Sequence, residues 1–108
     1  MLANKQMNAG SQPNPYLVQK IMTASPEELI SYIYEAAIRG CVLKDQSKTL
    51  EAIQQLINAL NFDAGEVPAN FYKVYTGIQN HIYNRDFDAA KEILADLRKT
   101  WSQAMNIR

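Results

Sequence analysis

The sequence predicts an all-α fold, an antiparallel up-down four-helix bundle. Apolar residues recur at the spacing of an α-helix in four segments, and no segment shows the alternation expected of a β-strand. The four helices are predicted at about residues 26–44, 48–61, 67–84 and 87–106. Because the first and third links are short, each of them is predicted to join an antiparallel hairpin. The turns of both hairpins then lie at the same end of the bundle.

The chain before the bundle is predicted to be a mobile tail. Residues 1–22 contain two basic residues and no acidic ones, together with Asn, Gln, Gly, Ser and two prolines. We therefore place a tail or lid at residues 1–24 and the bundle domain at residues 25–108. The later part of the tail is apolar, and we expect it to dock on the bundle as a short extended or helical lid. The predicted lid residues are Asn14, Pro15, Tyr16, Leu17, Val18, Ile21 and Met22.

A capping box opens the first predicted helix. The side chain of Ser25 is placed to accept a hydrogen bond from the backbone of Glu28, while the Glu28 side chain reaches back to Ser25. Pro26 suits the first helical position, because its φ is already helical and no N–H is needed there. These residues define where the helix begins, and they carry no information about its function.

An unusually large part of this first helix is apolar. Its apolar arc covers about 240°, from Tyr32 and Leu43 at one end to Ile38 at the other. A bundle helix with two neighbours needs about half its circumference apolar, so roughly a quarter turn has no obvious internal partner. We place this surplus face at the Ile38 end, with Ile33 in the core and Ser31 on a polar stripe. The surplus face comprises Ile30, Tyr34, Ile38 and Cys41.

Three explanations of the surplus face stay open. The helix could be the most central one, so that its neighbours cover the face. A second copy of the chain could pair with the face in a homodimer. The tail could instead lie over the face as a displaceable lid, and the last two explanations both predict a binding groove.

The other three helices each have one apolar side and one polar side, as bundle helices usually do. Asp86 is the predicted cap of the last helix, and Trp101 lies on that helix's apolar side. Tyr72 and Tyr83 flank the apolar side of the third helix, where they are predicted to line a second groove.

Composition narrows the possible functions. The 108 residues contain 11 basic and 11 acidic side chains of scattered sign, so neither nucleic acid nor a membrane surface is a predicted partner. The N-terminus has no sustained apolar stretch and Cys41 has no internal disulfide partner, which favours a cytoplasmic protein without membrane insertion. His81 is the sole histidine, and we predict no enzyme activity, no metal and no cofactor.

Several short motifs follow one another along residues 14–105. They are Asn14-Pro15-Tyr16, the nonapeptide Thr23 to Ser31, Tyr34 to Arg39, Gly65 to Val67, Asn70-Phe71, Val74-Tyr75, and Leu97-Arg98 before Trp101. In this order and spacing, the motifs resemble those of the FliS family of flagellar export chaperones.

The resemblance implies a small helical bundle that holds the C-terminal segment of flagellin in apolar grooves until secretion. It also implies that the N-terminal segment occupies a groove when the client is absent, and that it docks on the flagellar export gate. The client-binding residues are then predicted to be Ile30, Tyr34, Ile38, Cys41, Tyr72 and Tyr83. The alternative function is a structural homodimer that uses the surplus face permanently and has no export client.

Overall fold

The computed structural model describes residues 14–106, and this part of the chain is helical without a β-strand. Its helices are α1 (Pro15–Met22), α2 (Pro26–Val42), α3 (Gln46–Asn58), α4 (Glu66–Tyr83) and α5 (Phe87–Ala104), with a 3-10 turn at Phe62–Ala64. The all-α prediction is confirmed, and α2 to α5 correspond to the four predicted bundle helices.

Helices α2 to α5 form a closed ring. Helix α2 packs against α3 and α5, and α4 packs against the same two neighbours, so that α2 and α4 lie diagonally across the ring. The buried apolar core runs through the centre of this ring. It consists of Tyr34, Ala37, Cys41, Ala52, Ile53, Leu56, Tyr75, Ile78, Ile82, Phe87, Ala90 and Leu94.

Side-chain caps determine where three of the bundle helices begin. The predicted capping box is present, with Glu28 N 3.1 Å from Ser25 Oγ and Ser25 N 2.9 Å from Glu28 Oε1. Asp86 caps α5 as predicted, by accepting from the backbone of Ala89. Helix α3 begins two residues earlier than predicted, because Asp45 accepts from the backbone of Lys48 and acts as its cap.

The turns of both hairpins lie at the same end of the bundle, as predicted. Gln46 follows the first turn, and its Nε2 donates to the carbonyl of Ile82, just before the second turn, at 3.1 Å. Both turns contain a basic residue with positive φ, Lys44 at 55° and Arg85 at 58°. In each turn the next residue is the aspartate that caps the following helix.

Helices α2 and α3 approach most closely where Gly40 faces Thr49. A Cβ atom on Gly40 would overlap Thr49 Oγ1 and lie 3.2 Å from Thr49 Cα. Thr49 is fully buried, and its hydroxyl donates to the carbonyl of Asp45 at 2.7 Å, so it cannot turn away without losing that bond. This crossing is not among the features predicted from the sequence, although an isolated glycine within a helical pattern is a known sign of close packing.

Helix α1 is a short helix that buries none of its residues. It begins at Asn14, whose side chain accepts from the backbone of Tyr16 at 2.9 Å. Tyr16 is 73% exposed and Met22 is 79% exposed. Of the two forms predicted for the lid segment, extended or helical, the structure has the helical one.

Candidate functional site

A groove of about 640 Å³ runs along the outer side of α2 and α3. From Leu29 to Leu43 the groove follows α2 for about 21 Å, which is the length of a helix of about 14 residues. Its apolar floor and walls come mainly from α2. They comprise Leu29, Tyr32, Ile33, Ala36, Leu43 and Ala52.

Charged side chains of both signs line the groove towards its hairpin end. Arg39 and Lys48 are basic, while Asp45 and Glu51 are acidic. The four formal charges cancel, so the groove does not attract a polyanion or a polycation as a whole. Such a groove suits an amphipathic segment that carries both signs beside an apolar strip.

Helix α1 reaches the groove at one edge. Ile21 is the α1 residue in the groove wall, where it lies with Leu29 and Tyr32. The ammonium of Lys20 lies 5.3 Å from the centre of the Tyr32 ring, a distance at which a cation attracts the ring face. Tyr16, Leu17 and Met22 remain at least half exposed, whereas Val18 is partly buried.

The predicted surplus face is wrong in its position. Tyr34 and Cys41 are only 2% and 3% exposed, and Ile30 and Ile38 pack against the core. The apolar arc of α2 is as wide as predicted, but its Ile38 end is packed against the core. The uncovered end is the opposite one, which faces the groove.

Of two further assignments on α2, one holds in part and the other is wrong. Ile33, predicted in the core, does pack against it, but it is only partly buried because it also lies in the groove wall. Ser31, predicted on the polar stripe, is 4% exposed. A lid over Tyr34 and Cys41 is also excluded in this structure, because neighbouring helices already cover both side chains.

The buried tyrosines Tyr34 and Tyr75 share a hydrogen bond across the ring. Their hydroxyl oxygens are 2.7 Å apart. Burial raises the pKa of both phenols above the ordinary value, so both are protonated at neutral pH. Burial also raises the pKa of the Cys41 thiol to about 11, which leaves it a packing residue rather than a nucleophile.

Tyr72 and Tyr83 lie on α4, away from the groove residues. They are 44% and 63% exposed, and a separation of 11 positions puts them on one side of the helix about 16 Å apart. Tyr72 contacts Phe62 edge to face, with ring centres 5.8 Å apart. Neither tyrosine lines the groove, but Tyr72 follows Phe71, which lines a second cavity together with Ile30 and Tyr34 of the predicted site. Client contact by any of these residues stays a prediction.

Trp101 is partly buried rather than fully buried. It packs against the core, and its Nε1 donates to the carbonyl of Glu27 at 3.0 Å. Close by, Arg98 of α5 forms an ion pair with Glu35 of α2 at 2.7 Å. These contacts join α5 to α2.

Within residues 14–106, no three His, Cys, Asp or Glu side chains come close enough to hold a metal ion. The helices of this same part of the chain are all too short or too polar to cross a membrane. His81 lies 3.7 Å from the Asp86 cap, and both side chains are substantially exposed.

The chain was compared with protein families, with curated proteins and with solved structures. The family described as flagellar protein FliS matches residues 7–108, which is nearly the whole chain. No curated protein and no solved structure matches it.

Proposed function

Since this chain belongs to the FliS family of flagellar export chaperones, we propose that its client is the C-terminal segment of flagellin. The client binds in the groove between α2 and α3, in the cytoplasm, before export. Binding of this kind uses surface complementarity and needs no catalytic group. The observation that carries the proposal is an apolar groove of helical length on a member of this family.

The groove supports a helical client on physical grounds. A disordered amphipathic segment that folds in an apolar groove buries apolar surface that would otherwise face water. Ordering the segment costs a few kcal/mol, which the burial must exceed. While the segment is held, it is unavailable for contacts with other flagellin molecules, and premature polymerisation is prevented.

The charged side chains of the groove favour one orientation of the bound client. A client helix with a basic residue beside Glu51 and an acidic residue beside Lys48 satisfies both charges, whereas the reversed helix places like charges together. The apolar wall therefore provides affinity, and the mixed charges select one direction of the client.

Helix α1 is placed to compete with the client. Ile21 and Lys20 already occupy one edge of the groove through Leu29 and Tyr32. Displacing α1 exposes little new apolar surface, since α1 buries none of its residues. The lid is thus a weak competitor that covers one end of the groove.

The first prediction tests the groove with Ala36→Glu. Ala36 is exposed in the groove wall, so a carboxylate there meets the apolar strip of the client and should weaken a flagellin C-terminal peptide about tenfold or more. Calorimetry with the unchanged chain should give one-to-one binding and a negative heat-capacity change.

Ala95→Glu is the matched control, because Ala95 is an exposed alanine within α5 and lies outside the groove. Its peptide affinity should be unchanged. No binding of the peptide at about tens of micromolar, together with a stable dimer in sedimentation, would replace the chaperone proposal with the structural homodimer.

A further inference from the structure

A second cavity, of about 210 Å³, opens at the end of the bundle opposite the hairpin turns. The buried pair Tyr34 and Tyr75 lines it, together with Leu56, Phe71 and the partly buried Trp101. An apolar cavity of about 150 Å³ is enough to hold a benzene ring. The bundle-end cavity therefore has room for one six-membered ring with a substituent.

The tyrosine pair gives the buried part of the cavity a polar group to offer, while the amide of Asn61 lies in the exposed part of the lining. A single hydrogen bond joins the two hydroxyls, so only one of their two hydrogens lies between the oxygens. Within residues 14–106 the other hydroxyl hydrogen has no protein acceptor. Burial keeps both phenols protonated, and this donor is thus present at neutral pH.

The lining also restricts the charge of an occupant. The described residues that line the cavity are all uncharged, so a charged group would lose its hydration without gaining a partner. A neutral ring with one hydrogen-bond acceptor loses least on entry and satisfies the spare hydroxyl.

Exposed apolar residues surround the cavity entrance. Val67 lines the cavity and is 62% exposed. Phe62 and Tyr72 each follow a lining residue in the chain, and they are 54% and 44% exposed. Phe62 and Tyr72 contact each other, so the apolar surface around the entrance is larger than one small molecule in the cavity can cover. A polypeptide that inserts one side chain covers the surface as well as filling the cavity.

We propose that the bundle-end cavity is an anchor site separate from the groove, and that it takes the phenol ring of a tyrosine from a partner polypeptide. The ring fills the apolar volume, and its hydroxyl oxygen accepts from the spare hydroxyl of the Tyr34 and Tyr75 pair. The proposal rests on the proposed chaperone function in naming a polypeptide as the source of the ring. The cavity itself is testable without any flagellin peptide.

The test uses p-cresol, the side chain of tyrosine, and toluene, the side chain of phenylalanine, with the full chain. Trp101 is the only tryptophan of the chain and lines the cavity, so its emission should change saturably as either probe binds. Removal of both hydroxyls by Tyr34→Phe with Tyr75→Phe should reduce the preference for p-cresol over toluene about 3- to 10-fold. An unchanged preference in the folded double variant would overturn the assigned hydrogen bond.

A filling variant keeps the test decisive if the double variant does not fold. Ala59 is exposed and lines the cavity, so Ala59→Phe should occupy it and abolish p-cresol binding. Ala95→Phe, on exposed surface elsewhere, should leave binding unchanged. Equal p-cresol binding by both variants would place the probe outside the cavity and overturn the proposal.

The source of the ring is tested with N-acetyltyrosinamide, which adds the peptide backbone to the phenol. Competition between this compound and p-cresol, lost in Ala59→Phe, supports a side chain from a polypeptide. Binding of p-cresol without binding of N-acetyltyrosinamide would overturn the polypeptide source and leave a site for free phenols. Failure of the flagellin peptide to bind the groove changes neither outcome.

Discussion

Gly40 and Gly77 both lie within bundle helices, but their surroundings are opposite. A side chain on Gly40 would collide with Thr49 of the neighbouring helix, whereas a Cβ on Gly77 would meet nothing within 4 Å. Glycine within a helix costs about 1 kcal/mol relative to alanine. At Gly40 the loss of helix propensity is accompanied by the close crossing of α2 and α3. At Gly77 no close packing accompanies the same loss.

We expect opposite signs from the two glycine-to-alanine variants. Gly77→Ala should raise the free energy of unfolding by about 1 kcal/mol. Gly40→Ala should lower it by about 1 to 2 kcal/mol, because overpacking exceeds the gain in helix propensity. Chemical denaturation measures both, and a stabilised Gly40→Ala would contradict the crossing described here.

The buried phenols predict a loss of stability in alkali. The pKa of Tyr34 and of Tyr75 is raised in the folded state, mainly by burial, so the unfolded chain loses these protons first, near pH 10. The contribution of the phenols to stability is thus fully present below pH 10 and falls above it, by up to about 1.4 kcal/mol per pH unit for each phenol still protonated. Denaturation at increasing pH should show this fall, which should be smaller for Tyr34→Phe with Tyr75→Phe.

Cys41 adds a contribution that begins at lower pH. Its pKa rises from 9.0 to about 11 through burial, so its part of the stability is lost as the pH rises between these values. The variant Cys41→Ala separates the thiol from the phenols. A flat stability profile through pH 10 in the unchanged chain would show that the phenols ionise as easily in the folded state as in the unfolded one.

At the scale of single residues, local chemistry was predictable and burial was not. The Ser25 capping box and the Asp86 cap involve neighbours in the chain, so their hydrogen bonds follow from the sequence. The burial of Tyr34 depends on Tyr75, which lies 41 positions away. No spacing within α2 indicates such a partner.

Helix α1 is the least integrated helix of the structure. It buries no residue, and its described contacts with the bundle are those of Ile21 and Lys20 at the groove edge. Its removal should therefore affect the groove more than the stability of the bundle.

Deletion of residues 1–24 should leave the bundle folded, because Ser25 still caps α2. We expect a loss of unfolding free energy of at most about 1 kcal/mol, the size of the Lys20 contact with Tyr32. Client affinity should rise if α1 competes for the groove. Deletion of residues 1–13 alone is the control, and weaker client binding without α1 would mean that α1 holds the client instead of competing with it.

At the scale of helices, the amount of apolar surface was predictable, but its orientation was not. The width of the α2 arc correctly indicated that two neighbours do not cover all of it. Its two ends, at Tyr32 and at Ile38, are equivalent in a single helix. Which end is covered depends on where α3 and α5 pack against α2. The groove residues Leu29 and Tyr32 were already in the arc, so the available signal was ambiguous rather than absent.

The whole ring should unfold as one unit. Each bundle helix packs against two neighbours, so the loss of one removes contacts from both. Ile78 is fully buried on α4, and Ile78→Ala should lower the free energy of unfolding by about 2 to 5 kcal/mol. Circular dichroism and the emission of Trp101, which lies on α5, should report the same midpoint before and after this change.

Val74 on the same helix is 40% exposed, and Val74→Ala is the corresponding surface control, with a small expected effect. Separate midpoints for the two signals would show that α5 unfolds independently of the ring. At this scale the sequence was most informative, since short links and apolar periodicity together predicted the hairpins and the common end of their turns.

The hydroxyl pair of Tyr34 and Tyr75 also has a mechanical consequence. Four rods joined only along the sides of a square form a linkage, which shears into a rhombus without breaking a joint. Tyr34 belongs to α2 and Tyr75 to α4, so their bond runs along a diagonal of the ring and acts as a strut. The strut resists that shear, and the cavity at the bundle end, which the same two tyrosines line, thereby keeps its cross-section.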